Sequence, residues 1–327
     1  MPRAGTVRVG ISGWTYKPWR GVFFPPGLPQ KRELEFAAST FRTIEINGTF
    51  YSLQRPSSYQ SWAERTPGDF VFSVKGSRYI THMRRLRNIE IPLANFFASG
   101  ILGLGKKLGP ILWQFPPNFT YSHDLLEEFF AMLPRDARAA AALGEKHDDL
   151  VKKRSWLAVE SNWPMRHAME IRHVSFVTPE FIRLLRKYKV ALVCADTVEW
   201  PRLMDVTSDF IYCRLHGSEV LYSSGYDHAA IEEWSQRVAT WARGGEAKDG
   251  EFASEKGATK RSSRDVYVYF DNDAKVRAPR DARALNARLA ELLGTAACKL
   301  PDEPTLAGLT PSRNQNRVHA SNKRARR

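Results

Sequence analysis

Eight short apolar segments recur along this chain of 327 residues, and polar side chains stand where they stop. Each segment has the length of a β-strand, is rich in Val, Ile and aromatic residues, and is followed by a stretch that can be helical. The pattern therefore predicts repeated strand–helix units. The eight segments are Val7–Gly13, Thr43–Thr49, Phe70–Lys75, Pro110–Gln114, His167–Arg172, Val190–Asp196, Phe210–His216 and Val266–Asp273.

Eight such units predict an α/β fold, a single-domain (β/α)₈ barrel of the TIM type. Barrels of this kind usually occupy about 250 residues, so the chain has room for insertions. We expect a barrel domain over residues 1–300, with surface insertions near 135–165 and 244–264. The second insertion is rich in Gly, Ser and charged residues without periodicity, which is typical of a flexible segment. Residues 301–327 are predicted to form a basic, disordered tail.

The formal net charge of +14 favours anionic partners. Part of this charge lies in the tail, where six basic residues and no acidic ones follow from Arg313 onward. A small anionic ligand and nucleic acid, bound through the basic surface and tail, are therefore the expected partners. No stretch has the roughly 20 apolar residues of a membrane helix, and no secretory signal is visible, so a cytoplasmic protein is expected. We expect Cys194 and Cys213 to be buried core residues.

In a (β/α)₈ barrel the active site forms at the carboxyl ends of the strands, so the polar side chains there are candidate functional residues. Side chains alternate between the two faces of a strand, and the outward face must be apolar to pack against helices. The alternation predicts an inward ring made of Glu45, Asn47, Thr49, Ser73, Lys75, Gln114, Glu170, Arg172, Cys194, Asp196, Tyr212, Arg214, His216, Tyr269 and Asp271, with Asn272 and Asp273 at the exit of the last strand.

The ring combines groups for proton transfer with groups for anion recognition. Histidine as a residue type has an ordinary pKa close to neutrality, so His216 suits proton transfer, and a desolvated carboxylate such as Glu170 is suited to act as a base. We predict Glu170, His216, Asp196 and Glu45 as catalytic residues. The predicted substrate-binding residues are Lys75, Arg172, Arg214, Asn47, Gln114, Trp14, Tyr16, His82, Asp271 and Asn272. In the alternative interpretation, the charges form an ion-pair network that only holds the barrel end together.

Three further features leave alternatives open. The carboxylates and His216 are acceptable ligands for a divalent metal, but the interspersed cations compete for them, so no cofactor is predicted and a metal stays an alternative. Aromatic residues after the strands, including Trp14 and Tyr16, are either platforms for sugar rings or nucleobases or simply loop packing. The basic loop from Gly76 to Arg85, which contains His82, either grips a phosphate or is solvated.

Several ordered motifs carry a resemblance to a known family. They are Gly10-Ile11-Ser12-Gly13-Trp14-Thr15-Tyr16, Glu45-Ile46-Asn47-Gly48-Thr49-Phe50-Tyr51, Phe72-Ser73-Val74-Lys75 with Ile80-Thr81-His82, Leu108 to Pro117, Glu170-Ile171-Arg172-His173 with Ser175, Asp196, Arg214-Leu215-His216-Gly217 and Tyr269-Phe270-Asp271-Asn272-Asp273. Over about residues 7 to 294 the chain resembles the YecE-like family, domain of unknown function 72. The resemblance implies a TIM-type barrel and no particular reaction. Likeness of that barrel to endonuclease IV and sugar isomerases suggests nucleic-acid or sugar chemistry.

The chain departs from these patterns in two ways. Phe176 stands where the family often has Trp, and the rich histidine and carboxylate ligand set of endonuclease IV is absent.

Three hypotheses follow. The first is an enzyme of hydrolase or isomerase type that binds a small phosphate- or carboxylate-bearing substrate at the barrel mouth and uses acid/base chemistry. The second is a metal-dependent nucleic-acid phosphodiesterase. The third is a non-catalytic protein that binds nucleic acid or a protein partner.

Overall fold

The computed structural model describes residues 4–217, 221 and 224–294. Eight parallel strands pair in sequential order, and the last pairs with the first, so the sheet closes into a barrel. The predicted (β/α)₈ barrel is confirmed. The strands are β1 Val7–Ser12, β2 Thr43–Ile46, β3 Val71–Lys75, β4 Leu108–Gln114, β5 His167–Glu170, β6 Ala191–Asp196, β7 Phe210–Leu215 and β8 Asp265–Phe270.

Helices connect the strands and cover the outside of the barrel. The α-helices are α1 Glu33–Thr40, α2 Gly48–Tyr51, α3 Pro56–Glu64, α4 Glu90–Ala98, α5 His123–Met132, α6 Ala137–Gly144, α7 Pro179–Lys187, α8 His228–Ala242 and α9 Arg277–Leu293. Thr49, expected on an inward strand face, instead lies in α2, and its hydroxyl donates to the carbonyl of Lys75. None of the helices described is long and apolar enough to cross a lipid bilayer.

The buried side chains form two layers, as alternation along barrel strands requires. The outer layer, between strands and helices, includes Ile44 and Ile46 as predicted. The interior layer is a smaller cluster made of Val71, Leu112, Ala168, Ala191, Val193, Ala195, Trp200, Phe210, Tyr212, Tyr267 and Tyr269.

The predicted faces of β6 are wrong. Val193 and Ala195 lie in the interior, whereas Cys194 packs in the outer layer beside Cys213 of β7. Both faces of β6 carry small or aliphatic side chains, so its alternation does not distinguish inside from outside. Both cysteines are buried and free, as expected.

The two predicted insertions are packed against the barrel. The first contains the Ala-rich helix α6, which begins where the Asp136 side chain accepts a hydrogen bond from the backbone of Ala139. The second holds no named helix or strand, yet buried Arg264 donates to the carbonyls of Gly244, Gly245 and Thr259. These hydrogen bonds hold parts of the segment against Arg264, and the flexibility of the segment stays a prediction. The predicted tail, Cys298 and Tyr222 lie outside the described residues.

Candidate active site

Arg214 occupies the centre of the barrel mouth, where its guanidinium group contacts three carboxylates. Nη2 lies 3.0 Å from Glu45 Oε1 and 2.7 Å from Asp271 Oδ2, and Nη1 lies 2.7 Å from Glu170 Oε2. The side chain of Arg214 is 1% exposed. These partners come from β2, β5 and the exit of β8, so one side chain of β7 links four parts of the barrel. We call these four residues the Arg214 cluster.

Electrostatic interactions keep the buried side chains of the Arg214 cluster ionised. Burial alone would raise the pKa of Glu170, but Arg214 and Arg172 outweigh it and hold that pKa well below its usual range. Burial likewise opposes ionisation of Asp271, and Arg214 together with His216 keeps its pKa low. The pKa of Arg214 is raised, because the three carboxylates outweigh its burial. Each charge is therefore stabilised only by its partners.

His216 and Arg172 adjoin the Arg214 cluster. Nδ1 of the fully buried His216 lies 3.1 Å from Asp271 Oδ2, and its Nε2 lies 3.8 Å from Glu170 Oε2. Nη2 of Arg172 lies 2.7 Å from Glu170 Oε1, and its guanidinium stacks 4.0 Å from the ring centre of Trp200. Trp200 also packs edge-on against His216. The indole of Trp200 therefore covers one side of the ion-pair network.

Ser12 is a member of the site that the sequence analysis missed. Its hydroxyl donates to Glu45 Oε1 at 2.5 Å and accepts from the Asn47 amide at 2.9 Å. Arg214 Nη2 lies 3.3 Å from the same oxygen. Ser12 carries no charge, and the sequence shows no evident polar end on its strand, β1. Because side chains alternate along a strand, its position two residues after Gly10 could have placed it on the inward face.

Tyrosine hydroxyls continue the polar network into the barrel interior. The hydroxyl of Tyr212 donates to Glu45 Oε2 at 2.6 Å and lies 2.8 Å from Ser73 Oγ. One layer away, Thr43 and Tyr269 share a hydrogen bond of 2.7 Å. The inward faces predicted for β2, β3, β7 and β8 therefore match these contacts, and the interior hydroxyls hold Glu45 in place.

The open part of the mouth divides into two lobes. The cationic lobe is a cavity of about 580 Å³ lined by Phe50, Tyr51, Lys75, Arg78, His82, Met83, Gln114 and Arg172. The aromatic lobe, of about 780 Å³, is lined by Gly13, Trp14, Thr15, Tyr16, Ile46, Asn47, Gly48, Tyr51, Gln54, Trp62, Lys75, Asp271 and Asp273. Lys75 and Tyr51 belong to both. Eight of the predicted substrate-binding residues thus lie on one of the lobes, and Arg214 lies beneath them.

The aromatic loop residues are of two kinds. Trp19 is fully buried and donates from its indole to the carbonyl of Asp273, so it packs the loop against the barrel. Trp14 is partly exposed on the wall of the aromatic lobe, 5.5 Å from the ring of Trp62. Tyr16 donates to the carbonyl of Ser12, and burial raises its pKa. Only the partly exposed rings are therefore available to a ligand.

Apart from His216, which contacts the Arg214 cluster, two predicted site residues lie outside both lobes and that cluster. The Asp196 carboxylate accepts from the hydroxyl of Tyr226 at 2.8 Å and from Arg202 at 3.1 Å. The Asn272 amide donates to Asp281 of α9 and to the carbonyl of Ser224. Both predictions are corrected for the same reason: the side chains leave their strands on the face away from the mouth, where they fasten loops and helices.

Only some of the basic residues in the loop after β3 line the mouth of the barrel. Arg78 lines the cationic lobe and stacks 5.3 Å from the ring centre of Tyr51. His82 lies on the same lobe, where burial and the positive charges of Lys75 and Arg172 lower its pKa to about 4. Arg85 instead donates to Asn118. One arginine and one neutral histidine of this basic loop thus reach the mouth.

A metal ion does not fit this set of side chains. Among the described residues, no group of three or more His, Cys, Asp and Glu is arranged to hold one. The carboxylates of Glu45, Glu170 and Asp271 converge on the Arg214 guanidinium, which fills the position a cation would occupy. We therefore derive no step through a metal.

A third cavity, of about 790 Å³, lies at the opposite end of the barrel, near the start of β4. Its cations include Arg135, Arg166, Arg186 and Lys189. Arg166 is paired with Asp265 at 2.7 Å and with Asp209 at 3.4 Å. This end of a (β/α)₈ barrel ordinarily serves stability, so the mouth stays the candidate active site.

Fold and site together define a TIM-barrel protein with a buried, ion-paired polar cluster at the carboxyl ends of its strands. A family model described as "Protein of unknown function DUF72" matches residues 8–305. The chain belongs to this family, as the motifs in its sequence predict.

Relatives and solved structures agree with this assignment. The chain is 28% identical over 121 residues to the UPF0759 protein YunF of Bacillus subtilis, and 28% identical over 113 residues to the UPF0759 protein YecE of Escherichia coli K12. Each match covers 35% of this chain, and the chain spans 41% of the first relative and 39% of the second.

A DUF72 family protein of Thermotoga maritima superposes with a TM-score of 0.62 at 23% identity, covering 87% of this chain and 99% of that one. A DUF72 family protein of Enterococcus faecalis superposes with a TM-score of 0.59 at 17% identity, covering 90% of this chain and all of that one. These similarities support the barrel fold.

Proposed function

We propose that this protein is an enzyme that binds a small substrate bearing a phosphate or carboxylate group in the barrel mouth and performs acid/base chemistry on it, of hydrolase or isomerase type. One observation carries the proposal. The cationic lobe is lined by Lys75, Arg78 and Arg172, and by no carboxylate among its described lining residues. It adjoins the buried Arg214 cluster through Arg172 and Glu170.

Anion binding follows from the composition of this lobe. Arg78 and Arg172 present planar guanidinium groups, which suit the oxygens of phosphate and carboxylate. Gln114 and His82 add neutral donors, and a histidine with a pKa near 4 is uncharged at neutral pH. The charge of Arg172 is partly balanced by Glu170, so Arg78 and Lys75 supply most of the attraction.

The acid/base role falls on His216, which Asp271 supports. Asp271 contacts Arg214 and His216 and also lines the aromatic lobe, so it joins the buried cluster to the cavity. Glu170, predicted as the base, is fully buried with both oxygens bound by arginines. In this proposal Glu170 and Glu45 hold Arg214, His216 transfers the proton, and Asp271, whose low pKa keeps it ionised, links His216 to the aromatic lobe.

Two alternative functions, a metal-dependent phosphodiesterase and a non-catalytic binding protein, have less support from the described residues. The metal-dependent phosphodiesterase needs a ligand set that the mouth carboxylates do not offer, because Arg214 engages them. The non-catalytic nucleic-acid-binding protein rests on the basic tail, and no contact of the described residues favours it. The non-catalytic alternative predicts unchanged phosphate binding when the cationic lobe is altered, because it assigns the nucleic-acid contacts to the tail.

The test compares ligand binding by wild type and by Arg78→Ala. Inorganic phosphate and a panel of phosphorylated and carboxylated metabolites are titrated by calorimetry and by thermal shift. Loss of one charge-assisted contact should weaken phosphate binding about tenfold or more. The control is Arg87→Ala, an exposed arginine of the same loop that lines neither lobe, and it should bind phosphate as wild type does. No binding of any anion by wild type, or equal binding by the two variants, would overturn the proposal.

A further inference from the structure

Lys75 differs from the other cations of the mouth in what it contacts. Arg214 and Arg172 contact carboxylates at 2.7–3.0 Å, whereas no carboxylate of the described residues lies within 4.0 Å of the Lys75 ammonium. Its Nζ lies 4.6 Å from the ring centre of Phe50 instead. Lys75 is only partly buried and has no ion pair within 4.0 Å among the described residues, so its amine is accessible to a ligand in the mouth.

The position of Lys75 places its amine where a ligand must pass. Lys75 ends β3 and lines both the cationic lobe and the aromatic lobe. A ligand with its anionic group beside Arg78 and Arg172 and its remainder beside Trp14 therefore extends across Nζ. The distance between amine and substrate is then set by the anion contacts, as a near-attack geometry requires.

The surroundings of Lys75 lower the pKa of its amine. Burial lowers this pKa to about 8, and Arg214 acts in the same direction, while Asp271, Glu45 and Glu170 partly counteract it. His82, on the loop after β3, is neutral there, whereas the ring of Phe50 in α2 favours the charged amine through a cation–π contact. Compared with an exposed lysine, the fraction of uncharged amine near neutral pH is larger by roughly a hundredfold.

We propose that Lys75 is a nucleophile that forms an imine with the carbonyl carbon of an anionic aldehyde or ketone substrate. This inference rests on the proposed function and names its substrate class. The ammonium first releases one proton to solvent, and the uncharged amine adds to the carbonyl carbon. A second proton passes from the nitrogen to the carbonyl oxygen to give a neutral carbinolamine. The carbinolamine hydroxyl then takes up one proton from solvent and leaves as water, so the protonated imine carries the positive charge of the former ammonium. No oxidant or reductant takes part.

The other charged residues of the mouth support both substrate binding and imine formation. Arg78 and Arg172 hold the anionic group of the substrate. Glu45, Glu170 and Asp271 stabilise the cationic imine, because they already favour a positive charge on Lys75. Lysine is the residue type suited to this chemistry, since its pKa shifts on burial and its primary amine adds to carbonyl groups, whereas arginine stays protonated.

The first experiment uses formaldehyde, the smallest carbonyl probe. Full-length protein is treated with limiting formaldehyde and cyanoborohydride near neutral pH, and methylation of each lysine is followed by peptide mass spectrometry. Lys75 should react about tenfold faster than Lys153, because its larger uncharged fraction outweighs the lower nucleophilicity of a weaker base. Lys153 is exposed and serves as the internal control. Equal or slower labelling of Lys75 would overturn the imine proposal.

The second experiment uses glyceraldehyde 3-phosphate with borohydride, so that the probe carries both a carbonyl and an anion. We expect a mass gain equal to the probe less one oxygen atom, mapped to Lys75, and at least a severalfold reduction of it by inorganic phosphate. Lys75→Arg lacks a primary amine, so it should lose the adduct, whereas the control Arg87→Ala, which alters neither lobe, should keep both the adduct and phosphate binding. Absence of the adduct on wild type while phosphate still binds would overturn the imine and leave the anion-binding function standing. Absence of both would overturn both.

Discussion

Arg214 illustrates how a single buried charge constrains this molecule. Its three carboxylate partners lie 169, 44 and 57 positions away in the chain. A buried guanidinium group is tolerated because hydrogen bonds and opposite charges replace its hydration. The same compensation means that removing the guanidinium leaves three buried carboxylates that repel one another.

We expect Arg214→Met to lower the free energy of unfolding by about 3–5 kcal/mol, because it leaves buried charges unpaired. Arg214→Lys, which keeps a charge but fewer donors, should fall between it and wild type. The matched control is Arg42→Met, which breaks the exposed pair with Asp69 and should cost less than about 1 kcal/mol. Urea unfolding monitored by circular dichroism measures all three. Equal losses for Arg214→Met and Arg42→Met would show that the cluster is not stabilised by its charges.

A second prediction at this scale concerns acid stability and His167. Its Nδ1 accepts from the indole of Trp113 and its Nε2 lies 2.7 Å from the carbonyl of Pro134, so the buried ring is neutral with the proton on Nε2. Burial lowers its pKa to about 4, and Arg135 acts in the same direction. As the pH falls below about 6.5, the unfolded chain binds a proton that the folded protein refuses, so stability falls until the pH reaches about 4.

The loss over this window should approach about 3 kcal/mol, since each unit of pKa shift corresponds to about 1.4 kcal/mol. His82, whose pKa is also near 4 but whose ring is less buried, should add a smaller part. His167→Gln, whose amide can donate to Pro134 and accept from Trp113, should flatten the pH dependence between pH 6.5 and 4. A series of urea titrations at stepped pH measures this, and an unchanged slope in the variant would contradict the assignment.

At the scale of the element, caps decide where helices begin. Thr178 precedes Pro179 and Glu180, and the sequence predicts it as the N-cap of α7. The structure confirms this, since its hydroxyl accepts from the backbone of Phe181 at 3.2 Å. By its residue type, Ser57 is predicted to cap a helix over Ser58–Arg65. The helix found there, α3, instead begins at Pro56, with Arg55 at the N-cap position and no capping side chain.

Thr178→Ala should therefore destabilise the protein by about 1 kcal/mol, because it removes a capping hydrogen bond. Ser57→Ala is the matched control and should change stability by less than about 0.5 kcal/mol, since Ser57 lies exposed inside the first turn of α3. Chemical denaturation of both variants measures the difference. Equal effects would mean that the hydroxyl of Thr178 does not act as a cap.

Strand faces show where sequence reasoning succeeds and where it fails. On β2 and β5, charged Glu45 and Glu170 alternate with large aliphatic neighbours, so a slip of one residue would expose charges to the helices and the assignment is unambiguous. On β6, small and aliphatic side chains occupy both faces, and Asp196 alone suggested the inward direction. Because its carboxylate bonds with Tyr226 and Arg202 at the outer edge, that inference was wrong.

At the scale of the whole molecule, positive charge is distributed unevenly. The formal net charge is +14, and six of the basic residues lie from Arg313 to Arg327, beyond the described residues. In the mouth, by contrast, Arg214 and Arg172 lie against the carboxylates of Glu45, Glu170 and Asp271. The cationic lobe, which we propose as the anion site, and the basic terminal segment are thus separate features of the chain.

Deleting residues 313–327 should separate their effects. We expect weaker retention of the protein on DNA at low salt, because fewer phosphates are neutralised, and a smaller dependence of binding on salt concentration. Phosphate binding in the mouth should stay within twofold of wild type, since the mouth residues are unaltered. Fluorescence anisotropy with duplex DNA and calorimetry with phosphate measure the two properties. Loss of phosphate binding on truncation would contradict the assignment of the anion site to the mouth.

The sequence by itself determined the eight strands, the sequential order of strand and helix, and most of the polar residue types that reach the mouth. These follow from local periodicity, because inward and outward neighbours along a strand have different solvation. Tertiary structure decided which of those residues meet: that Arg214 gathers three carboxylates, that Ser12 joins them, and that Lys75 has no carboxylate beside it in the described part of the chain. Such contacts depend on how the barrel closes and on the direction in which each side chain leaves its strand, which no local pattern encodes.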